Sequence, residues 1–308
     1  MEDSDIRNEI LKVPTLKLIS EIGSGGMATV WKAWDISRQK LVAVKILNSE
    51  FSSSGEDVRS FREEERRMEE LHHPNIVEAY DFDSGNGRWF LLMEFVDGYS
   101  FSELLQRKGS ICESDCLLIC ESVASALDYA WNDHGLVHCD IKPENILINS
   151  QGVIKLTDLG ISHRFENREG AKADSGQVLG TPAYISPEQI YDSVELDCRT
   201  DIYSLGATLY HLSTGSLLFP GLNQDYSLRA HCDDSMQAPD PRSLNPGLSE
   251  GFAQLLEVML VKNRGARLQN WGDVMAACKD VENGVAFKPR TSVGVSSVRL
   301  AVDISHSR

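Results

Sequence analysis

The chain has 308 residues, 42% hydrophobic and 25% charged, which is ordinary globular usage. This excludes a wholly disordered, collagen-like or membrane-embedded chain, and the length suits one large domain or two closely joined ones. With 30 Lys+Arg against 46 Asp+Glu the formal net charge is −16, which argues against nucleic-acid or anionic-membrane partners, because both need a basic surface.

Met1-Glu2-Asp3-Ser4-Asp5 is acidic and no apolar segment follows it, so no signal peptide is expected there. No run of about 18 apolar residues occurs, so no membrane span is expected in this chain. Residues 1–13 are polar and are taken as an N-terminal extension. From Leu16 to Val96 short apolar runs alternate with turns, and Leu18–Ile22, Val30–Ala33, Leu41–Ile46 and Trp89–Phe95 are predicted strands. Asp57–His72 is dense in Glu and Arg, with Phe61, Met68 and Leu71 on the apolar side, and predicts one helix. After Gly98 the period becomes helical: helices are predicted at Phe101–Lys108, Asp115–His134, Arg199–Thr214, Glu250–Val261 and Trp271–Val281, with short strands at Ile146–Ile148 and Ile154–Leu156. Gly160 to Gly180 reads as a long polar loop of the kind that is usually functional. Residues 282–308 read as a tail or linker. No repeat of fixed period is present.

Seven cysteines without a CxxC pair do not form a disulfide framework and point to a reducing, cytoplasmic setting. Cys112, Cys116 and Cys120 recur every four residues. A buried stripe with Leu117 and Val123 is the preferred reading over a metal site.

Four signals carry chemistry. Gly23-Ser24-Gly25-Gly26 lies between two predicted strands, where glycines let backbone N–H groups approach phosphate oxygens. A strand follows it rather than a helix, which disfavours a dinucleotide-binding turn. Val42-Ala43-Val44-Lys45 places a Lys at the end of an apolar strand, and a half-buried ammonium needs a partner, for which Glu64 on the charged helix is the candidate. In His138-Cys139-Asp140-Ile141-Lys142-Pro143-Glu144-Asn145, Asp140 can accept a proton, Lys142 can neutralise a phosphoryl group and Asn145 can ligate a hard cation through its amide oxygen. Asp158-Leu159-Gly160 adds a second metal ligand, and Mg²⁺ typically binds one or two carboxylates plus substrate phosphates. A flap, a Lys, a base and two metal ligands make up the parts needed for phosphoryl transfer.

On these residues, the chain resembles the eukaryotic-type Ser/Thr protein kinases, most closely their bacterial members. The Gly loop from Gly23, VAVK ending at Lys45, Glu64, HCDIKPEN at 138–145, DLG at 158–160, GTPAYISPE at 180–188, Asp201-Ile202-Tyr203-Ser204-Leu205-Gly206 and Arg267 match in order over roughly residues 14–281. The resemblance implies an α+β, two-lobed fold: a small, mainly antiparallel β lobe with one helix (14–96) and a large, mainly helical lobe (97–281). It implies ATP, with Mg²⁺ or in its place Mn²⁺, and phosphorylation of Ser/Thr hydroxyls in protein substrates, with autophosphorylation and a dimer serving it as further expectations.

By the same resemblance, Ile22, Gly23, Ser24, Gly25 and Gly26 cover the nucleotide, and Lys45, paired with Glu64, holds the α- and β-phosphates. Val30, Ala43 and Leu147 sandwich adenine, Met93 is the gatekeeper, and the backbone from Glu94 to Val96 is the hinge. Asp140 is the base, Lys142 contacts the γ-phosphate, and Asn145 and Asp158 hold the metal. Met68, Ala79, His138 and Leu159 form a stacked set anchored by Asp201, and Glu188 pairs with Arg267. Lys142 and Thr181 favour Ser/Thr over Tyr acceptors, and Glu144 hints at basic residues beside the acceptor. A nucleotide-binding scaffold without transfer is the alternative, against which the full set Lys45, Glu64, Asp140, Asn145 and Asp158 weighs. A small-molecule kinase is disfavoured by the peptide-docking GTPAYISPE segment.

The sequence departs from the family pattern at Ala28 (third flap glycine), Leu159 (for Phe), Ser186 (for Ala) and Lys262–Arg267, which lacks the usual Asp-Pro. The main departure is Cys139, where most members carry an Arg that clamps an activation-loop phosphate. Phosphorylation of Ser175 is therefore expected to matter less here than in Arg-containing relatives. A redox-sensitive thiol at Cys139 is the weaker reading of that position.

Overall fold

The computed structural model describes residues 10–26, 28–49, 59, 62, 66, 68–159, 181–191, 196–221 and 224–285. The first third is a five-stranded antiparallel sheet: β1 (Leu16–Ser24), β2 (Ala28–Asp35), β3 (Lys40–Leu47), β4 (Ala79–Gly85) and β5 (Arg88–Glu94), in spatial order β1-β2-β3-β5-β4. Strand alternation sorts its side chains onto two faces. Val42, Val44 and Ile46 of β3 join Phe90 and Leu92 of β5, with Leu11, Leu16, Leu18 and Ala33, in one buried cluster. The other face carries Ala43 and Met93, which are direct cross-strand partners, and Lys45 opposite Leu91. The described positions between 59 and 69 have helical backbone, in keeping with the predicted helix. β4 is a strand the sequence pattern does not reveal, because Asp81, Asp83, Ser84 and Gly85 break the apolar alternation.

The rest is mainly helical. A three-stranded sheet joins β6 (Gly98–Ser100), β7 (Ile146–Asn149) and β8 (Ile154–Leu156), in that order. Gly98 is needed there, since a Cβ would stand 1.8 Å from the Ile148 carbonyl oxygen. Helices α1 (Phe101–Lys108), α2 (Glu113–His134), α3 (Pro187–Tyr191), α4 (Cys198–Thr214), α5 (Gln224–Cys232), α6 (Pro241–Leu244), α7 (Glu250–Met259) and α8 (Trp271–Glu282) complete the described elements. The short α3, α5 and α6 carry little apolar periodicity and were not predicted.

α4 is the hub of the large lobe. Ile202, Tyr203, Leu205, Leu209, Tyr210 and Leu212 are buried, and so are Thr200, Asp201, Ser204 and Thr208, so the helix is enclosed on all sides. Asp197 caps its N-terminus and Gly215, at φ 74°, ends it.

Cys116 and Cys120 are buried as expected, but Cys112 is not part of that stripe. It is the exposed residue preceding the first turn of α2. The ion pair predicted between Glu188 and Arg267 is present and bidentate, at 2.7 and 3.1 Å, and both side chains are buried. No helix among the described residues is long and apolar enough to cross a membrane.

Candidate active site

A cleft of about 1100 Å³ lies between the sheet and the helical part, lined by residues from both. Its roof is the turn joining β1 to β2. The Gly25 N–H donates to the Ala28 carbonyl at 2.9 Å, and the Asn48 side-chain amide donates to the Gly26 carbonyl at 3.0 Å. A Cβ on Gly26 would meet nothing within 4 Å, and on Gly23 or Gly25 nothing nearer than 3.7 Å. Their φ values are not in the left-handed region. Neither packing nor backbone conformation therefore requires glycine here. What glycine supplies is an open backbone facing the cleft.

One end of the cleft is apolar. Ala43, Val77 and Met93 are buried, with Val30, Phe95, Val96 and Leu147 packed against them. These include every residue expected to enclose a flat ring. Val77 was missed, because it falls between a predicted helix and an unpredicted strand.

The other end is charged. The Lys45 Nζ bonds Asp158 Oδ1 at 2.6 Å across 113 residues of sequence. Burial pushes the Asp158 carboxyl up, but the Lys45 ammonium, with His138 and Lys142 behind it, holds the carboxyl below its ordinary value. Asp158 has φ 59°, an uncommon conformation for a residue with a side chain. Glu64, the partner expected for Lys45, lies outside the described residues, as do Gly160 and Ser175.

The floor is the loop 138–145. Lys142 Nζ donates to Asp140 Oδ2 at 2.7 Å. The Asn145 amide nitrogen donates to the Asp140 carbonyl at 2.9 Å and to its Oδ2 at 3.3 Å, so the Asn145 Oδ1 faces away from those bonds. This loop is fixed from below. The Asp201 carboxylate accepts the backbone N–H groups of His138 and Cys139, both at 2.7 Å. Burial pushes the Asp201 carboxyl up to about 6, against the pull of His138 and those two donors. Thr208 Oγ1 donates to the Ile141 carbonyl at 3.1 Å, and Gln189 Nε2 to the Cys139 carbonyl at 2.8 Å. Cys139 sits at φ 61° between these anchors. The expected stack is buried throughout: Met68, Ala79, His138 and Leu159.

Asp158 and Asn145 suit a hard cation by donor chemistry, each offering an oxygen. No cluster of three His, Cys, Asp or Glu able to hold a metal exists among the described residues.

The open glycine roof, the apolar slot and the floor carrying Asp140, Lys142 and Asn145 fit the two-lobed, kinase-like arrangement that the sequence leads one to expect. The family comparison agrees: the protein kinase domain model matches residues 16–280, and the chain belongs to that family. It is 36% identical over 268 residues to the serine/threonine-protein kinase PknA of Mycobacterium tuberculosis, covering 85% of this chain and 60% of PknA. It is 33% identical over 263 residues to the serine/threonine-protein kinase PrkC of Bacillus subtilis, covering 85% of this chain and 40% of PrkC. The chain thus spans about 40–60% of the length of such curated relatives. In fold it is similar to the kinase domain of M. tuberculosis PknI, with TM-score 0.69 at 24% identity, covering 88% of this chain and 97% of that one.

Proposed function

We propose that the protein transfers the γ-phosphoryl group of ATP to Ser or Thr hydroxyls of protein substrates, itself included, within a kinase domain spanning residues 14–281. The observation that carries this reading is the meeting of Lys45–Asp158 with Asp140–Lys142–Asn145 in one cleft.

In this reading adenine enters the slot between Val30 and Ala43 above and Leu147 below, against the 94–96 backbone, with Met93 closing its rear. Lys45 holds the α- and β-phosphates, and the backbone of Gly23–Gly26 covers them. The acceptor hydroxyl approaches beside Thr181, which lines the same cleft. As its oxygen bonds to the γ-phosphorus, Asp140 takes its proton and the bond to the β-phosphate oxygen breaks, leaving ADP. Lys142, already at Asp140, offsets charge on the transferring group. Asp158 and Asn145 hold Mg²⁺, which supplies charge neutralisation on the phosphates.

The net charge of −16 fits a protein partner better than nucleic acid. The seven free thiols suit a reducing, cytoplasmic setting. Incubation with Mg²⁺ and ATP followed by mass-spectrometric phosphosite mapping tests the reading. New phosphoserine or phosphothreonine, on the chain or on an added acceptor, is expected. Nucleotide binding with no phosphosite at all would leave a scaffold instead.

A further inference from the structure

We propose that Lys155 is a positioning residue for nucleotide binding. The β7–β8 hairpin grips the chain segment 94–97 at both ends, and Lys155 is the side chain that makes the first grip. The inference rests on the reading above, that the backbone of this segment receives adenine.

Glu94 is the last residue of β5 and a cross-strand partner of Val42. By strand alternation its side chain shares the face of Leu92 and Phe90, opposite to Met93, so its carboxylate points away from the cleft while its residue borders it. At the rear, Glu94 Oε2 accepts from Lys155 Nζ at 2.8 Å and from the Glu78 N–H at 3.3 Å. The Glu94 N–H in turn donates to the Glu78 carbonyl at 2.8 Å. Lys155 also reaches the Ile76 carbonyl at 3.4 Å. One ammonium on β8 thus joins the start of segment 94–97 to residues 76–78 beside it.

The other end is held by backbone alone: the Ser150 N–H, just after β7, donates to the Asp97 carbonyl at 2.9 Å. The same hairpin is stitched to residues 75–77 by Leu156 N–H to the Asn75 carbonyl, Val77 N–H to the Leu156 carbonyl, and Asn75 Nδ2 to the Ile154 carbonyl, at 2.8, 2.9 and 2.8 Å. Those bonds hold the hairpin in place with no help from Lys155. The ion pair is therefore not needed to dock β8.

Lys155 and Glu94 are 13% and 24% exposed, so the pair is largely withdrawn from solvent. A pair in such a place adds little net stability over apolar groups of the same size. What it does fix is direction. It sets where the Glu94 backbone stands relative to the apolar slot, and any preordering of that backbone lowers the cost of binding.

The test uses the full chain, with ATP affinity, steady-state kinetics and thermal melting measured together. Lys155→Met is expected to raise both the Kd and KM for ATP about fivefold, within the range found for residues that act on a site without touching ligand. It should leave kcat within about twofold, since the interaction is the same before and during transfer. Lys155→Arg, which keeps a charged donor for Glu94 and for the Ile76 carbonyl, should restore most of the affinity. Glu94→Gln, which keeps a group for the Glu78 N–H but loses the charge, should give part of the Lys155→Met effect and serves where that variant folds poorly. A lower melting temperature with unchanged Kd and KM overturns the proposal, as does a rise in kcat at unchanged KM. If the wild-type chain fails to bind ATP, the reading of the site falls as well. Unaltered affinity in Lys155→Met beside a binding wild type overturns only the positioning role.

Discussion

The roof and the floor of the cleft are built in opposite ways. The floor, residues 138–145, is bolted down from below: the buried Asp201 holds two of its N–H groups, the buried Thr208 and the half-buried Gln189 hold two of its carbonyls, and His138 is fully enclosed. The roof, Gly23–Gly26, is held by its pairing with β2, the Gly25–Ala28 bond and the Asn48 amide, and has glycines that its own packing does not need. Groups that must meet a reacting atom within tenths of an ångström gain from rigidity. Groups that must admit and release a nucleotide gain from an open backbone. The contrast predicts that changes in the 138–145 loop and its anchors strike chemistry or folding, and changes in the Gly23–Gly26 turn strike affinity.

The largest effect should come from the floor. Asp140→Asn is expected to lower kcat by about 10²–10⁴-fold, the usual worth of a positioned proton acceptor, with nucleotide affinity and melting temperature nearly unchanged. A variant that keeps more than a tenth of wild-type kcat would break the assignment of Asp140 as base.

Next is the structural pair under the floor. Arg267→Met leaves Glu188 buried without its partner, and is expected to cost about 3–5 kcal/mol in a denaturant melt. A loss below about 1 kcal/mol would show that the pair carries no such burden.

His231 sharpens the comparison through pH. It is buried on α5, and its Nδ1 meets the Tyr203 hydroxyl at 2.8 Å. Burial, with Lys262 nearby, pushes its imidazole down to about 4 from 6.5. The unfolded chain binds the proton more readily than the fold does. This stabilising contribution is therefore present above pH 6.5 and is lost as pH falls toward 4. At about 1.4 kcal/mol per pH unit, up to about 3 kcal/mol is at stake. Urea melts of wild type and His231→Gln between pH 7 and 5 check it: the wild type should lose stability more steeply.

The smallest change in stability belongs to the roof. Gly26→Ala has free space for its Cβ and no left-handed φ to strain. Stability should shift by less than about 1 kcal/mol, in the stabilising direction through the unfolded chain, while the KM for ATP rises. Destabilisation of several kcal/mol would show that the glycine serves packing after all.

The sequence made elements legible where apolar residues recur at a clear spacing. Phe101–Lys108 and Ile154–Leu156 were placed to the residue, and Trp271–Val281 and Arg199–Thr214 within one. β4 and α5 were not, since their polar residues are explained only by what they pack beside. In the site, residue type and order gave Lys45, Asp140, Lys142, Asn145 and Asp158 as candidates, and all five are in the cleft. Order along the chain could not show that Asp158 is the carboxylate at Lys45, a contact spanning 113 residues. Nor could it show Lys155, an ordinary Lys in a short strand until β5 is set beside it.

The most direct measurement is transfer of labelled γ-phosphate from Mg²⁺-ATP to a generic basic acceptor protein, run with wild type and Asp140→Asn under conditions where both bind nucleotide. The account predicts label on Ser or Thr from wild type and loss of that label in the variant. Equal labelling by the two, or none from a wild type that binds ATP, would contradict it.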